Sequence, residues 1–146
     1  MKTNFLKRAP LLTALTGGAI FLMSMSSVES KIQAKGAWVA PASADKVTNP
    51  LMGQPDATAA GKKLYGTYCA VCHGAKGKGD GIAAAGLNPK PADHTSAKVQ
   101  NQTDGAIFWK ITTGRAPIAS MASYEKTLTE TQRWQLVDFI RTLKAK

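Results

Sequence analysis

The two cysteines of this chain stand three positions apart and are followed directly by a histidine, in the order Cys69-Ala-Val-Cys72-His73. Thiols at this spacing can each add to a vinyl group on one edge of the same haem. The histidine that follows then lies under the iron, where it can be an axial ligand. Because the chain has two cysteines in all, the pattern predicts one covalently attached haem c.

Three other chemistries use the same residue types. A disulfide between Cys69 and Cys72 closes too short a loop to stabilise much. A thioredoxin-like redox pair belongs in a βαβ setting, and no segment of this chain alternates with period two. A zinc ion needs four ligands, which the two cysteines, His73 and His94 would supply, but their spacing matches no C₂H₂ pattern. Haem attachment is the chemistry that the pattern favours.

The helix before the motif is predicted to begin after Asp56 as N-cap and to run to about Ala70. Gly61 and Tyr65 lie on one face of it. A glycine inside a helix costs about 1 kcal/mol relative to alanine. Gly61 therefore indicates a close crossing by another helix.

Two further helices are predicted after the motif. Thr103 can cap the first of them, and Gly114 stands just past its end. Thr129 and Gln132 make a capping box for the last one. Its broad apolar face is formed by Trp134, Leu136, Val137, Phe139, Ile140 and Leu143. The sequence thus predicts an all-α domain with loops rich in glycine and proline.

Four stretches around these residues resemble the small bacterial class I monohaem cytochromes c: GKKLYGTYCAVCHGAKGKGDG, LNPKPAD, TDGAIFWKITTGR and RWQLVDFIRTL. The resemblance covers about residues 57–146. It implies the compact cytochrome c fold, with about three main helices around one covalently bound haem. In that fold the first and last helices cross, which matches Gly61 and Tyr65 on one side with Trp134 and Phe139 on the other.

The resemblance also implies a second axial ligand downstream, usually a methionine. Met121 is the only methionine after the haem motif, and residues 116–120 separate it from Arg115, a longer loop than is usual in the family. A thioether opposite histidine raises the reduction potential. His94 is the only other histidine and so the rival ligand, although its position in a proline-rich loop favours a solvated histidine.

Further haem contacts are expected from the same resemblance. A proline carbonyl in the stretch 88–91, from Pro89 or Pro91, would accept a hydrogen bond from His73 Nδ1 and orient the ring. The candidates to reach the haem propionates are Arg115, Trp109 and Tyr124. For the two aromatic side chains, ordinary core packing is the competing interpretation.

The glycines at 74, 77, 79 and 81 look at first like a phosphate-binding loop. Asp80 follows Gly79, however, where such a loop would place lysine and then serine or threonine. We interpret the segment as a tight loop that lies against the haem, where side chains would not fit.

The amino-terminal region predicts export. Residues 1–8 carry three positive charges, and 9–28 carry none. A basic start followed by an apolar run is typical of a signal peptide, and its length also allows a retained membrane anchor. We therefore divide the chain into a signal or anchor at 1–30, a proline-rich arm at 31–56 and a cytochrome c domain at 57–146. The expected location is the periplasm, soluble or anchored to the outer face of the cytoplasmic membrane.

The charge of the chain indicates the kind of partner. The formal net charge is +10, and it remains +8 without residues 1–30. No basic helix with interleaved aromatic residues appears, so the charge does not predict a nucleic-acid partner. Lysines spread over the surface suit docking to acidic patches on a redox donor and acceptor.

A one-electron carrier with His73 and Met121 on the iron is the function that these features favour. A fixed electron-transfer subunit of a membrane oxidoreductase is the alternative, with the amino-terminal region as its tether. A peroxidase-like or gas-binding haem protein would need an open sixth position, which Met121 argues against. The predicted protein is thus not an enzyme by itself.

Overall fold

Five α-helices form the part of the chain that the computed structural model describes, residues 38–115 and 121–145. They are α1 Pro55–Tyr68, α2 Ala70–His73, α3 Ala97–Gln100, α4 Asp104–Thr113 and α5 Glu130–Thr142. Two 3₁₀ turns, Ala44–Lys46 and Ala84–Gly86, complete the regular structure, and these residues include no β-strand. The all-α prediction is confirmed. The expected signal or anchor at 1–30 lies outside the described residues, and none of the described helices is long and apolar enough to cross a membrane.

The crossing of α1 and α5 is the centre of the fold. A Cβ atom added to Gly61 would overlap the backbone carbonyl of Gln135 and touch the Cβ of Phe139. The two helices are therefore in backbone contact at this point, as Gly61 predicts. Tyr65, one turn further along α1, is 1% exposed, and its ring centroid lies 5.0 Å from that of Phe139.

The amino-terminal ends of α4 and α5 follow from their capping residues. The hydroxyl of Thr103 accepts from the backbone N–H of Ala106 at 3.0 Å. At α5, Thr129 accepts from the N–H of Gln132, whose side chain accepts in turn from the N–H of Thr129. Each bond satisfies a backbone donor that the first turn of a helix leaves unpaired. Both predicted caps are confirmed.

The beginning of α1 differs from the prediction. Gln54, not Asp56, is the N-cap residue, and Pro55 is the first helical residue. Proline suits this position because the N–H that it lacks would have no partner inside the helix. Asp56 falls in the first turn, where its carboxylate interacts favourably with the positive end of the helix dipole.

The described part of the proline-rich arm packs on α4 and α5. Asn49 and Asp138 are both buried, and the Asn49 amide donates to Asp138 Oδ1 at 2.8 Å. Nearby, the hydroxyl of Thr103 donates to Asp45 at 2.8 Å. These two polar contacts, across 89 and 58 residues of sequence, attach the segment from Trp38 onward to the helices, with which it forms one compact unit.

Candidate haem site

The haem-attachment motif occupies the turn between α1 and α2. Cys69 ends α1 and precedes α2, and Cys72 and His73 belong to α2. Both cysteines are free and partly buried. Burial, followed by the neighbouring Cys72, raises the pKa of the Cys69 thiol to about 12. The thiol of Cys69 thus lies in a poorly hydrated setting, which suits contact with a large apolar ring.

The imidazole of His73 is buried and oriented by the backbone. Its Nδ1 lies 3.0 Å from the carbonyl oxygen of Ala92. In the tautomer that donates to this oxygen, Nε2 keeps the lone pair that iron requires. Burial lowers the pKa of His73, partly opposed by the bond to Ala92, so the neutral ligand form is favoured.

The acceptor for His73 corrects the prediction, which named Pro89 or Pro91. The chain before it is positioned by packing, because a Cβ at Gly79 would meet the carbonyl of Pro91. The backbone N–H of His94 then donates to the carbonyl of Gly77 at 2.6 Å. With these contacts made on either side, the carbonyl of Ala92 is the one that reaches Nδ1.

His94 is also placed differently from the prediction of a solvated loop histidine. It is 9% exposed, and its ring stacks on His73 with centroids 4.0 Å apart and planes 20° apart. Its Nδ1 lies 3.2 Å from the hydroxyl of Tyr65. Burial, and then the charge of His73, lower the pKa of His94 to about 3, so the ring is neutral near neutral pH.

This stacking argues against His94 as the ligand opposite His73. Trans ligands approach the iron from opposite faces of the macrocycle, so the haem plane must lie between them. Two rings in contact face to face leave no room for it. The zinc alternative is disfavoured too, because no group of three or more His, Cys, Asp or Glu side chains in the described residues is arranged to hold a metal.

Met121 is the first described residue after 116–120. Its carbonyl accepts from the N–H of Arg115 at 2.9 Å, so the residues on either side of that segment are in contact. Its side chain is partly buried against the apolar core, which Cys69 also contacts. The loop itself lies outside the described residues, so the expected geometry of its sulfur at the iron stays a prediction.

The three propionate candidates have different surroundings. Tyr124 lies near the motif, and its hydroxyl donates to the carbonyl of Tyr68 at 2.9 Å. Burial, and then the two cysteines, raise the pKa of Tyr124. Its hydroxyl is thus already engaged by the backbone of α1. The guanidinium of Arg115 lies over the ring of Trp38, with Cζ 5.8 Å from the ring centroid. Trp109 lines a groove between α4 and the arm, beside Pro41 and Val47 among others.

The residues that meet at this site fit haem c. Two free thiols lie next to an imidazole whose orientation leaves one nitrogen for iron. The thioether of Met121 packs against the apolar core that Cys69 also contacts. The two cysteines and His73 offer two attachment points and one axial imidazole, as a covalently attached haem requires, and Met121 stays the predicted ligand for the opposite side.

The cytochrome c family model matches residues 58–144, more than half of the chain. The protein therefore belongs to the cytochrome c family. It carries covalently bound haem c, with its iron, and takes part in haem-based electron transfer.

Several known proteins are similar to parts of this chain. The quinohemoprotein alcohol dehydrogenase ADH IIB of Pseudomonas putida is 36% identical over 63 residues, which are 43% of this chain and 8% of that protein. A chain of the Kuenenia stuttgartiensis reducing HAO-like protein complex Kustc0457/Kustc0458 has a TM-score of 0.59 and 28% identity, over 69% of this chain and 49% of that one. The KustC0563 c-type cytochrome has a TM-score of 0.50 and 28% identity, over 58% of this chain and 98% of its own. This chain thus spans 8% of the curated relative and 49% of the first of these structures.

Sequence reasoning missed Ala92, the Asn49–Asp138 contact and the location of His94. The carbonyl of Ala92 has no side-chain signal. For His94 a signal exists: Tyr65 lies on the buried face of α1, and a buried tyrosine hydroxyl needs a hydrogen-bond partner. A histidine in the loop after the motif is a natural candidate for that partner.

Proposed function

We propose that this chain is a one-electron carrier with a single haem c, bound through Cys69 and Cys72 and ligated by His73 and Met121. The observation that carries the proposal is the bond between His73 Nδ1 and the Ala92 carbonyl. Histidines that ligate a metal are normally held in this way, with the second ring nitrogen hydrogen-bonded to a carbonyl or a carboxylate. For the opposite side, the sequence after the haem motif offers one methionine, Met121.

Each residue has a definite role in this proposal. Cys69 and Cys72 hold the haem edge, and Ala92 keeps His73 in the tautomer that ligates. Met121 would hold the iron from the side opposite His73. The bound haem would supply one-electron chemistry at its iron. With His73 and Met121 both as ligands, no position would stay open for substrate, which favours a carrier over a peroxidase-like or gas-binding protein.

The attachment is tested by mass spectrometry of the purified protein after extraction with acidic organic solvent. The chain should keep the mass of one haem, and Cys69→Ala should keep it through a single thioether. Haem recovered in the solvent would contradict the proposal. A spectroelectrochemical titration should then give a single one-electron wave, and the ferrous protein should not bind carbon monoxide.

A fixed electron-transfer subunit is the second candidate, favoured by the relatives in which matching stretches belong to larger proteins or complexes. In this case the chain would elute from native membranes or periplasm together with an oxidoreductase partner. A free carrier would elute at the size of the chain alone. The native elution size therefore distinguishes the two candidates.

Partners with acidic docking patches, met in the periplasm, are part of the proposal. Lys62, Lys76 and Lys78 are exposed near the attachment motif. Positive side chains at such positions speed association with an acidic surface, and salt screens the attraction. Electron exchange with an acidic redox protein should therefore slow as ionic strength rises. A rate independent of salt would remove this part of the proposal.

A further inference from the structure

His94 is held by contacts of both its ring and its backbone. Its ring stacks on His73 at 4.0 Å, and its Nδ1 meets the hydroxyl of Tyr65 at 3.2 Å. Its backbone N–H donates to Gly77, and its carbonyl accepts from the side chain of Gln100 at 2.6 Å. The position of the His94 ring is thus set from both its backbone and its ring nitrogen.

We propose that His94 is a positioning residue for the axial imidazole, which holds the plane of the His73 ring at one rotation about its bond to the haem iron. The proposal rests on the proposed function, in which His73 is the axial ligand. Tyr65 is its anchor, because that hydroxyl holds the His94 ring at the angle at which it meets His73.

The physical reason is that one hydrogen bond restrains rotation weakly. The bond from His73 Nδ1 to Ala92 acts at a single atom close to the rotation axis, and hydrogen bonds tolerate a spread of angles. A flat neighbour at van der Waals distance acts over the whole ring. Turning His73 would drive its edge into the ring of His94, and contact repulsion at this range is steep.

The packing around His94 leaves the ring little freedom to move away. A Cβ added at Gly77 would press on the Cβ of His94 and come close to the hydroxyl of Tyr65. Tyr65 itself is 1% exposed and contacts both His94 and Phe139. The orientation of His73 is therefore linked through two rings to the crossing of α1 and α5.

The rotation of an axial ring has its own spectroscopic signature. In a low-spin ferric haem, the plane of the ring sets the in-plane axes of the magnetic anisotropy. These axes decide the order and spread of the haem methyl resonances in the ¹H NMR spectrum. The pattern reports ring orientation separately from stability or activity.

The experiment compares holoprotein variants by ferric ¹H NMR and denaturant unfolding. His94→Ala removes the flat neighbour and should change the order or spread of the haem methyl shifts. His94→Phe keeps a flat ring but loses the bond to Tyr65, so it should change the pattern less than His94→Ala. Tyr65→Phe removes the anchoring hydroxyl and should change the pattern in the same direction as His94→Ala, but less. Val99→Ala, in the same core, is the control that should lower stability without changing the pattern.

The outcomes distinguish failure of the proposed function from failure of the role proposed for His94. If the wild type shows no histidine-ligated low-spin ferric iron, the proposed function fails and this inference fails with it. If the wild type has that iron but Tyr65→Phe and His94→Ala keep the methyl pattern and only unfold more easily, His94 has a structural role and the inference alone is wrong. If His94→Ala does not assemble, Tyr65→Phe decides in the same way. A His94→Phe pattern as far from the wild type as that of His94→Ala would also contradict the role of the flat ring.

Discussion

The two sides of the proposed iron site are built differently. On the His73 side, the ligand ring is buried, bonded to Ala92 and stacked on His94, which Tyr65 supports from α1. On the Met121 side, the hydrogen bond that holds the residue is a backbone bond, from the N–H of Arg115 to the Met121 carbonyl. The Met121 side chain is partly buried at the edge of the core.

The difference shows two ways of placing a ligand. The His73 ring is positioned by side-chain contacts that connect directly to the crossing of two helices. Met121 is held by the backbone hydrogen bond from Arg115, and its side chain by apolar packing. A methionine side chain has three rotatable bonds and adapts to its surroundings, so it needs less support from neighbouring side chains. We therefore expect the two sides to respond differently to substitution.

Replacing His73 should have the largest effect. His73→Ala removes the ligand on which all the contacts of that side converge, and normal haem assembly should be lost. The measurement is the fraction of purified chains that carry the mass of one haem. His94→Phe is the matched control, because it also replaces a buried histidine but should keep full haem content. Normal haem content in His73→Ala would show that the ligand lies elsewhere.

Replacing Met121 should change the iron while the fold persists. Met121→Ala opens the sixth position to water or another weak ligand, so the reduction potential should fall and carbon monoxide should bind the ferrous protein. Met121→His should keep six-coordinate iron at a lower potential. Met52→Ala is the control, since Met52 is 67% exposed and lies in the arm. A Met121→Ala protein with wild-type spectrum and potential would exclude Met121 as ligand.

A methyl group at the crossing of α1 and α5 should lower the stability of the fold, because this crossing supports the residues around His73. Gly61→Ala places a Cβ against the Gln135 carbonyl, so α1 and α5 must separate, at a cost of about 1–3 kcal/mol. Gly66→Ala, in the same helix, meets nothing within 4 Å and should stabilise by about 0.5–1 kcal/mol. Denaturant unfolding of the two variants measures both effects. Equal free energies of unfolding would show that the helices are not in backbone contact at Gly61.

The smallest expected effect concerns a carboxyl group on α5. Burial raises the pKa of Asp138 above its usual value, with Asn49 opposing and Asp104 adding to the shift. The folded state therefore binds this proton more tightly than the unfolded chain. It follows that stability declines as pH rises from the usual aspartate pKa, about 3.8, through the higher folded value.

Asp138→Asn should remove this dependence. At pH 7 the variant should unfold at a denaturant concentration no lower than that of the wild type, and the difference should shrink as pH falls toward 4. The amide oxygen can still accept from Asn49, so the contact between α5 and the arm is kept. Glu125→Gln, at an exposed carboxyl, is the control and should change nothing. A difference that grows in acid would mean that the folded pKa is lowered.

Local patterns predicted the helices well because their causes are local. The caps at Thr103 and Thr129 bond to residues three positions away, and Gly61 marks the crossing because only glycine permits the backbones to touch. The one wrong cap, Asp56, lay two residues from the true one, Gln54, because Pro55 can begin a helix as its first residue. Boundaries of this kind depend on small energy differences between neighbouring positions.

The sequence by itself determined the cofactor chemistry and the helical framework of this protein. The cofactor chemistry follows from Cys69, Cys72 and His73, because the order of residues in the chain fixes the spacing of the two thiols and the adjacent imidazole. Only the tertiary structure decided what surrounds His73. Ala92 and His94 are 19 and 21 residues away in sequence, and a backbone carbonyl or a loop histidine carries no local sign of its neighbours. They meet His73 because the segment between packs against the backbone of α2 and the hydroxyl of Tyr65, contacts that form only when the whole chain has folded.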